Sequence, residues 1–263
     1  DADTDHVEGL TFTWRATEIR EVLGDDAPLF ATAYGVTDEG NWEGVTILSR
    51  VREDEALAEA YGLTTAEVSS RLAAARVHLL ARRSVRAQPA RDDKALAAWN
   101  GLAIAAFAEA GRTFGAPEYV AAATRAAEVI VAGLIGPDGV LGRSWKDGRV
   151  SGNGVLEDYA DLAEGLLSLY EATFDDRWFT VAVALAERIL GRFTDPAGGF
   201  FDTADDHERL VTRPKDVQDN AVPSGNAMAT TVLLRLAALT GDGQYRDAAE
   251  RAIRTVTGLV ARY

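Results

Sequence analysis

The feature that most limits what this chain can fold into is a repeat in its second half. Tyr119, Trp178 and Tyr245 recur at intervals of 59 and 67 residues, and each is followed four residues later by Ala (Ala123, Ala182, Ala249). Such self-similarity marks a supersecondary unit that buries its apolar face only by stacking on copies of itself. Each aromatic opens a helical stretch, and each of these follows another, at 95–114, 156–174 and 223–240. Polar turns such as Phe174-Asp175-Asp176-Arg177 and Thr240-Gly241-Asp242-Gly243 join the members. The predicted unit is therefore a pair of antiparallel helices.

The links between units repeat too. Pro137-Asp138-Gly139-Val140-Leu141-Gly142 returns 59 residues later as Pro196-Ala197-Gly198-Gly199-Phe200-Phe201. A charged turn and a short apolar run (Arg149-Val150, Leu210-Val211) follow each, which predicts a small β-hairpin after each pair, projecting from one rim. The helices are nearly saturated with Ala, Leu and Val, as in Leu102 to Ala110 and Val181 to Leu190. A helix apolar around most of its girth needs cover on two sides, which concentric packing supplies: first helices inside, second helices outside. The predicted class is mainly α, a toroid of helical hairpins. A generic helical solenoid satisfies the same pattern.

Residues 1–63 read differently. Leu10 to Trp14 and Val45 to Leu48 alternate like strands, and Thr17 to Leu23 reads as a short helix ended by Gly24. This stretch holds too little apolar sequence for a core of its own and is expected to elaborate one 1–263 domain whose hairpins occupy 64–263. Thr64 with Glu67 forms a capping box that starts a long helix to about Arg86.

Composition narrows the chemistry. There is no Cys, and only His6, His78 and His207, so disulfides, thiolates and zinc sites are not expected and no cofactor is called for. His78 on the long helix reads as structural and His207, in an acidic turn, as solvated. A net charge of −14 disfavours nucleic acid and anionic membranes. No apolar run reaches membrane-spanning length, and a chain opening at Asp1 is expected to be cytoplasmic and cut from something longer.

Polar groups gather where each first helix begins: Asp92-Asp93-Lys94 with Trp99-Asn100-Gly101, then Glu157-Asp158-Tyr159, then Arg213-Pro214-Lys215 through Asp219 to Ser224-Gly225-Asn226. If these ends face one mouth, carboxylates, amides, a hydroxyl and aromatics share a space suited to a sugar-like ligand, whose rings stack and whose hydroxyls hydrogen-bond. Asp93, Glu157 and Asp158 are the acid/base candidates. Trp99, Asn100, Tyr159, Arg213, Lys215, Asp219, Ser224 and Asn226 are the binding candidates. Structural roles compete throughout: Asp92, Asp93, Asp158, Ser224 and Asn226 also suit helix N-termini, and Arg213 and Lys215 could pair with Asp216 or Asp219. An Asn-Gly pair inside an apolar helix is costly, which argues mildly for function at Asn100-Gly101.

These strings, with Asp1-Ala2-Asp3, Glu8-Gly9 and Asn41-Trp42-Glu43-Gly44, resemble the thioredoxin-domain-containing family related to spermatogenesis-associated protein 20. The resemblance covers nearly the whole chain in order. It implies an (α/α)6 barrel similar to N-acylglucosamine 2-epimerase and six-hairpin glycosidases, preceded in the family by a thioredoxin-like domain. This chain is expected to lack that domain, its Cys motif and the early barrel helices. The chain is then expected to hold part of the ring, with partner copies as one way to cover its edges. Two functions stay open: a carbohydrate- or polyol-binding domain with isomerase-, epimerase- or glycosidase-like activity, or a non-catalytic scaffold presenting clients to the thioredoxin-like domain, with the Phe200-Phe201 rim as contact surface. Epimerisation of the resembled kind uses paired His, and none sits at an inner-helix mouth.

Overall fold

The computed structural model describes residues 3–260 except Arg209. Asp1 and Ala2 of the opening motif lie outside the described residues. The chain divides into two units, residues 1–92 and 93–263.

In the first unit, α1 (Ala16–Leu23), α2 (Ala27–Tyr34), α3 (Asp54–Tyr61) and α4 (Thr65–Ser84) pack around Trp14, Ile19, Leu29, Phe30, Leu57, Val68, Leu72 and Leu79. Gly24 ends α1 at φ 51°, as its sequence implies. The Thr64 hydroxyl accepts from the Glu67 N–H, and the Glu67 carboxylate accepts from the Thr64 N–H, completing the capping box. The two expected strands do not form. Only a bridge between Trp14 and Thr46 joins those segments, because Arg86 takes the carbonyls of Thr11 and Thr13 and stacks on Trp14. The helix expected to rejoin the hairpins instead completes this unit's core: Val68, Leu72, Ala75 and Leu79 of α4 supply apolar surface that residues 1–63 lack. His78 is exposed on α4 rather than packed.

The second unit is three helical hairpins of (α/α)6-toroid type: α5 (Ala97–Phe114) with α6 (Pro117–Leu134), α7 (Leu156–Thr173) with α8 (Asp176–Arg192), and α9 (Gly225–Thr240) with α10 (Gly243–Val260). The repeat fixes their starts: Tyr119, Trp178 and Tyr245 are each the third residue of a second helix. Ala123, Ala182 and Ala249 are buried beneath them. First helices adjoin one another, with α7 packed against both α5 and α9. Between residues 156 and 169 of α7 only Glu157 and Glu164 are incompletely buried.

The turns after α6 and α8 superimpose in pattern. Gly136 N–H donates to the Val140 carbonyl and Asp195 N–H to Gly199, while bridges pair Ile135 with Leu141 and Thr194 with Phe200. The continuations differ. After Leu141 the expected hairpin forms from β2 (Gly142–Lys146) and β3 (Arg149–Asn153), and β1 (Ala95–Leu96) adds antiparallel to β2. After Phe201 no strand pair forms among the described residues; Asp202 and Arg213 hold that loop through side-chain bonds to its backbone. No helix among the described residues is long and apolar enough to cross a membrane.

Candidate functional site

Asp158 is where the first-helix ends meet. It is 1% exposed, and its Oδ1 accepts from the Ala98 N–H of α5 at 3.1 Å while Oδ2 accepts from the Val155 N–H at 3.0 Å. One carboxylate thus ties down two helix N-termini, where a negative charge is favoured. Arg143, projected by β2, forks across its neighbours, with Nη1 3.1 Å from Asp158 Oδ2 and Nη2 2.9 Å from Glu157 Oε1. Burial lifts the Asp158 carboxyl above its ordinary value, opposed by the Val155 N–H, Arg143 and the Ala98 N–H. Its acceptor positions are engaged, so the arrangement suits a positioning carboxylate. Glu157 stays half-exposed.

The third helix end adjoins this one. A Cβ on Gly225 would stand 3.0 Å from the Glu157 nitrogen and from Leu156 Cγ, so the glycine relieves a tight approach of the α9 start to α7. Ser224 caps α9 by accepting from the Ala227 N–H at 3.2 Å, and the Asp219 carboxylate accepts from the Ser224 N–H at 2.8 Å. Asn226 pairs with the backbone of Phe200 like an adjacent strand, accepting from its N–H at 2.8 Å and donating to its carbonyl at 2.9 Å and to that of Asp216 at 2.8 Å.

Other candidates take structural places. The Tyr159 hydroxyl accepts from the Leu141 N–H at 2.9 Å and from Arg188 at 3.1 Å, at the side of a polar cavity of 220 Å³ that Asp138, Asn153, Asp206 and His207 also line. His207 is half-buried with Nδ1 enclosed and unbonded, not solvated as its acidic turn suggests. Arg213 lies over the Phe201 ring and donates to the Thr203 carbonyl, and Lys215 pairs with Asp195 at 2.5 Å rather than with Asp216 or Asp219. Phe200 is 1% exposed and Phe201 is covered by these cations, so neither forms the expected apolar contact rim. Asn100 donates to the Leu96 carbonyl, and Trp99 is 64% exposed. Asp93 lies exposed in the loop before β1, and the N-cap of α5 is Leu96, not an Asp. Gly101 has a packing reason: a Cβ there would meet the backbone of Asp161 and Leu162 closer than 3.0 Å, and one on Gly165 would meet the Gly101 carbonyl.

Two residues missed in the sequence matter most. Asp161 is 1% exposed, and its Oδ1 has no hydrogen-bond partner. Burial, then Glu157, Asp158 and Glu164, raise its carboxyl to about 8. Glu164 pairs with Arg235 of α9 through Oε1, leaving Oε2 buried and unbonded. Arg235 also reaches Ser168 at 3.1 Å and Glu171 at 2.7 Å. The available signal was spacing: Glu157, Asp161, Glu164, Ser168 and Glu171 recur at three and four residues, the period of one helix face.

Comparison with known proteins agrees with this architecture. The sequence profile of Glycosyl hydrolase family 47 matches residues 162–260. Among solved structures, cellobiose 2-epimerase from Spirochaeta thermophila aligns with TM-score 0.54 at 17% identity over 64% of this chain and 44% of its own. The family 76 α-mannanase BT2949 of Bacteroides thetaiotaomicron aligns with TM-score 0.51 at 14% identity over 94% and 72%. Both are similar in fold. Spermatogenesis-associated protein 20 is 32% identical in Mus musculus and 31% in Homo sapiens, in each case over 91% of this chain. The chain is thus a homologue of spermatogenesis-associated protein 20, spanning 34% of the length of those relatives.

Proposed function

We propose that the second unit binds a carbohydrate or related polyol where α5, α7 and α9 begin, and that its chemistry is carboxylate acid/base chemistry of the glycosidase type. The observation that carries this reading is the row of acids on α7. Glu157 is half-exposed and held by Arg143, whereas Asp161, one turn on, is buried and raised to about 8. A carboxyl that keeps its proton through burial, one turn from a second acid, is what glycoside cleavage asks of a general acid and its partner. The fold neighbours named as a cellobiose epimerase and an α-mannanase fit a sugar ligand. Paired-His epimerisation fits less well, since the second unit carries a single His, His207. A cytoplasmic setting accords with the absence of Cys.

Calorimetry with a panel of mono- and disaccharides tests this. One class should bind, and Glu157→Gln should weaken it by about tenfold, the loss of one charge-assisted hydrogen bond. A panel without any binder defeats the proposal.

One observation favours the scaffold reading: Trp99, Phe107 and Phe114 are exposed along α5, at 64%, 44% and 76%. An apolar row of this kind would suit a protein partner, including the thioredoxin-like domain of a longer parent. Binding of unfolded polypeptide but of no saccharide, lost in Trp99→Ala with Phe107→Ala, would support it.

A further inference from the structure

We propose that the ligand of the α7 site carries a positively charged amino group, as in an amino sugar, seated against the two unbonded carboxyl oxygens of Asp161 and Glu164. The inference rests on the carbohydrate reading and narrows its substrate class.

Asp161 Oδ1 and Glu164 Oε2 are both buried without a donor, three residues apart on one face of α7. Buried carboxyl oxygens are nearly always satisfied, and leaving one unmet costs more than an ordinary hydrogen bond returns. The surroundings supply no donor. Arg143 is committed to Glu157 and Asp158, and Arg235 to Glu164, Ser168 and Glu171. Across the contact with α5, Glu109 adds negative charge beside Glu164, and Gly101 presents only backbone to Asp161. Even with Asp161 protonated, the acids Glu157, Asp158, Glu164, Glu171 and Glu109 outnumber the two guanidiniums, a local excess of negative charge.

An ammonium group answers both deficits, because it offers three donors, no acceptor and a positive charge. A neutral hydroxyl donates but leaves the charge excess in place. A metal ion suits the site less well, since no group of three or more His, Asp or Glu with the arrangement to hold one occurs among the described residues. In the empty site Asp161 keeps its proton at neutral pH, its carboxyl standing at about 8. Arrival of a cation should expel that proton.

The experiment is calorimetry of the whole chain at pH 7 with glucosamine and mannosamine against glucose and mannose, in two buffers of different ionisation enthalpy. The amino sugar should bind at least about tenfold tighter than its neutral parent, the difference between a charge-assisted and a neutral hydrogen bond, with release of close to one proton. Asp161→Asn and Glu164→Gln should each abolish that preference while the far-UV circular dichroism spectrum stays that of the parent. Equal affinity for the two kinds of sugar, or a preference that survives both substitutions, overturns the proposal. Binding of ethanolamine but of no sugar, lost in Asp161→Asn, keeps the cation site and defeats the carbohydrate reading. Absence of binding by amine and sugar alike defeats both.

Discussion

Substituting Gly101 by Ala tests the contact on which the site is built. A Cβ at Gly101 would lie closer than 3.0 Å to the backbone of Asp161 and Leu162. Backbone atoms in the centre of a packed helix cannot swing aside, so α5 and α7 must separate. Overpacking of this kind costs about 1–3 kcal/mol, and a clash with backbone belongs at the upper end. Ala in a helix returns about 1 kcal/mol of propensity, leaving a net loss of about 2 kcal/mol. For a chain of this size that is a fall in melting temperature of roughly 4–8 °C. Gly191 of α8 is the control, because a Cβ there meets nothing within 4 Å; Gly191→Ala should gain up to about 1 kcal/mol. Gly165→Ala meets the Gly101 carbonyl and should cost a similar amount to Gly101→Ala, while the double variant costs less than the sum because both open one contact. Urea unfolding followed by circular dichroism reads all four proteins. A Gly101→Ala variant as stable as the parent, or one shifted in the same direction as Gly191→Ala, would refute the close α5–α7 approach.

Arg143→Ala should cost about 2 kcal/mol, less than a fully buried pair loses because Arg143 itself is 42% exposed; an unchanged urea midpoint would show that Asp158 does not need its cation. Asn226→Ala strands the buried N–H of Phe200 and should cost about 2–3 kcal/mol, which the same titration measures. Asp161 gives a pH signature: its folded value of about 8 exceeds the unfolded one, so the folded state binds more protons between pH 4 and 8 and stability falls as pH rises through that window, by at most about 1.4 kcal/mol per unit. Asp161→Asn should flatten that fall, and a slope identical to the parent's would remove Asp161 as its source.

Much of the second unit was legible because its repeat is a packing requirement. The spacing of Tyr119, Trp178 and Tyr245 places three helix starts, and the Thr64–Glu67 pair and Gly24 mark a start and a stop through local chemistry alone. The strands expected at Leu10 to Trp14 and Val45 to Leu48 were overruled by a distant residue, Arg86, which alternation within a window cannot reveal. The loop after Phe201 departs from its repeat partner for the same reason, since Asp202 and Arg213 fold it through contacts outside any local period. Several candidate residues chosen for their chemistry at helix starts instead satisfy backbone donors, Asp158 and Ser224 at helix starts and Asn226 and Tyr159 in the turns between hairpins.

That result sharpens the criterion for function in a repeat. A polar residue that bonds backbone at the start of a first helix serves a need every hairpin has, so its presence is accounted for by folding. Asp161 and Glu164 serve no such need. Counted from the helix starts, their counterparts are Leu102 and Ala105 in α5, and Thr230 and Leu233 in α9, so the hairpin packs without acids at these positions. Burying carboxyls there costs stability in the one helix that carries them, and two of their oxygens remain unbonded. A cost borne by one repeat and avoided by its neighbours is the mark of a residue kept for something other than the fold. The prediction is a direct trade: Asp161→Leu with Glu164→Ala, which restores the pattern of α5, should leave the hairpins folded and raise the urea midpoint at pH 8, while abolishing whatever binding the site supports. A double variant that loses stability would mean that the acids hold the hairpins together, and the site would then have to be sought elsewhere.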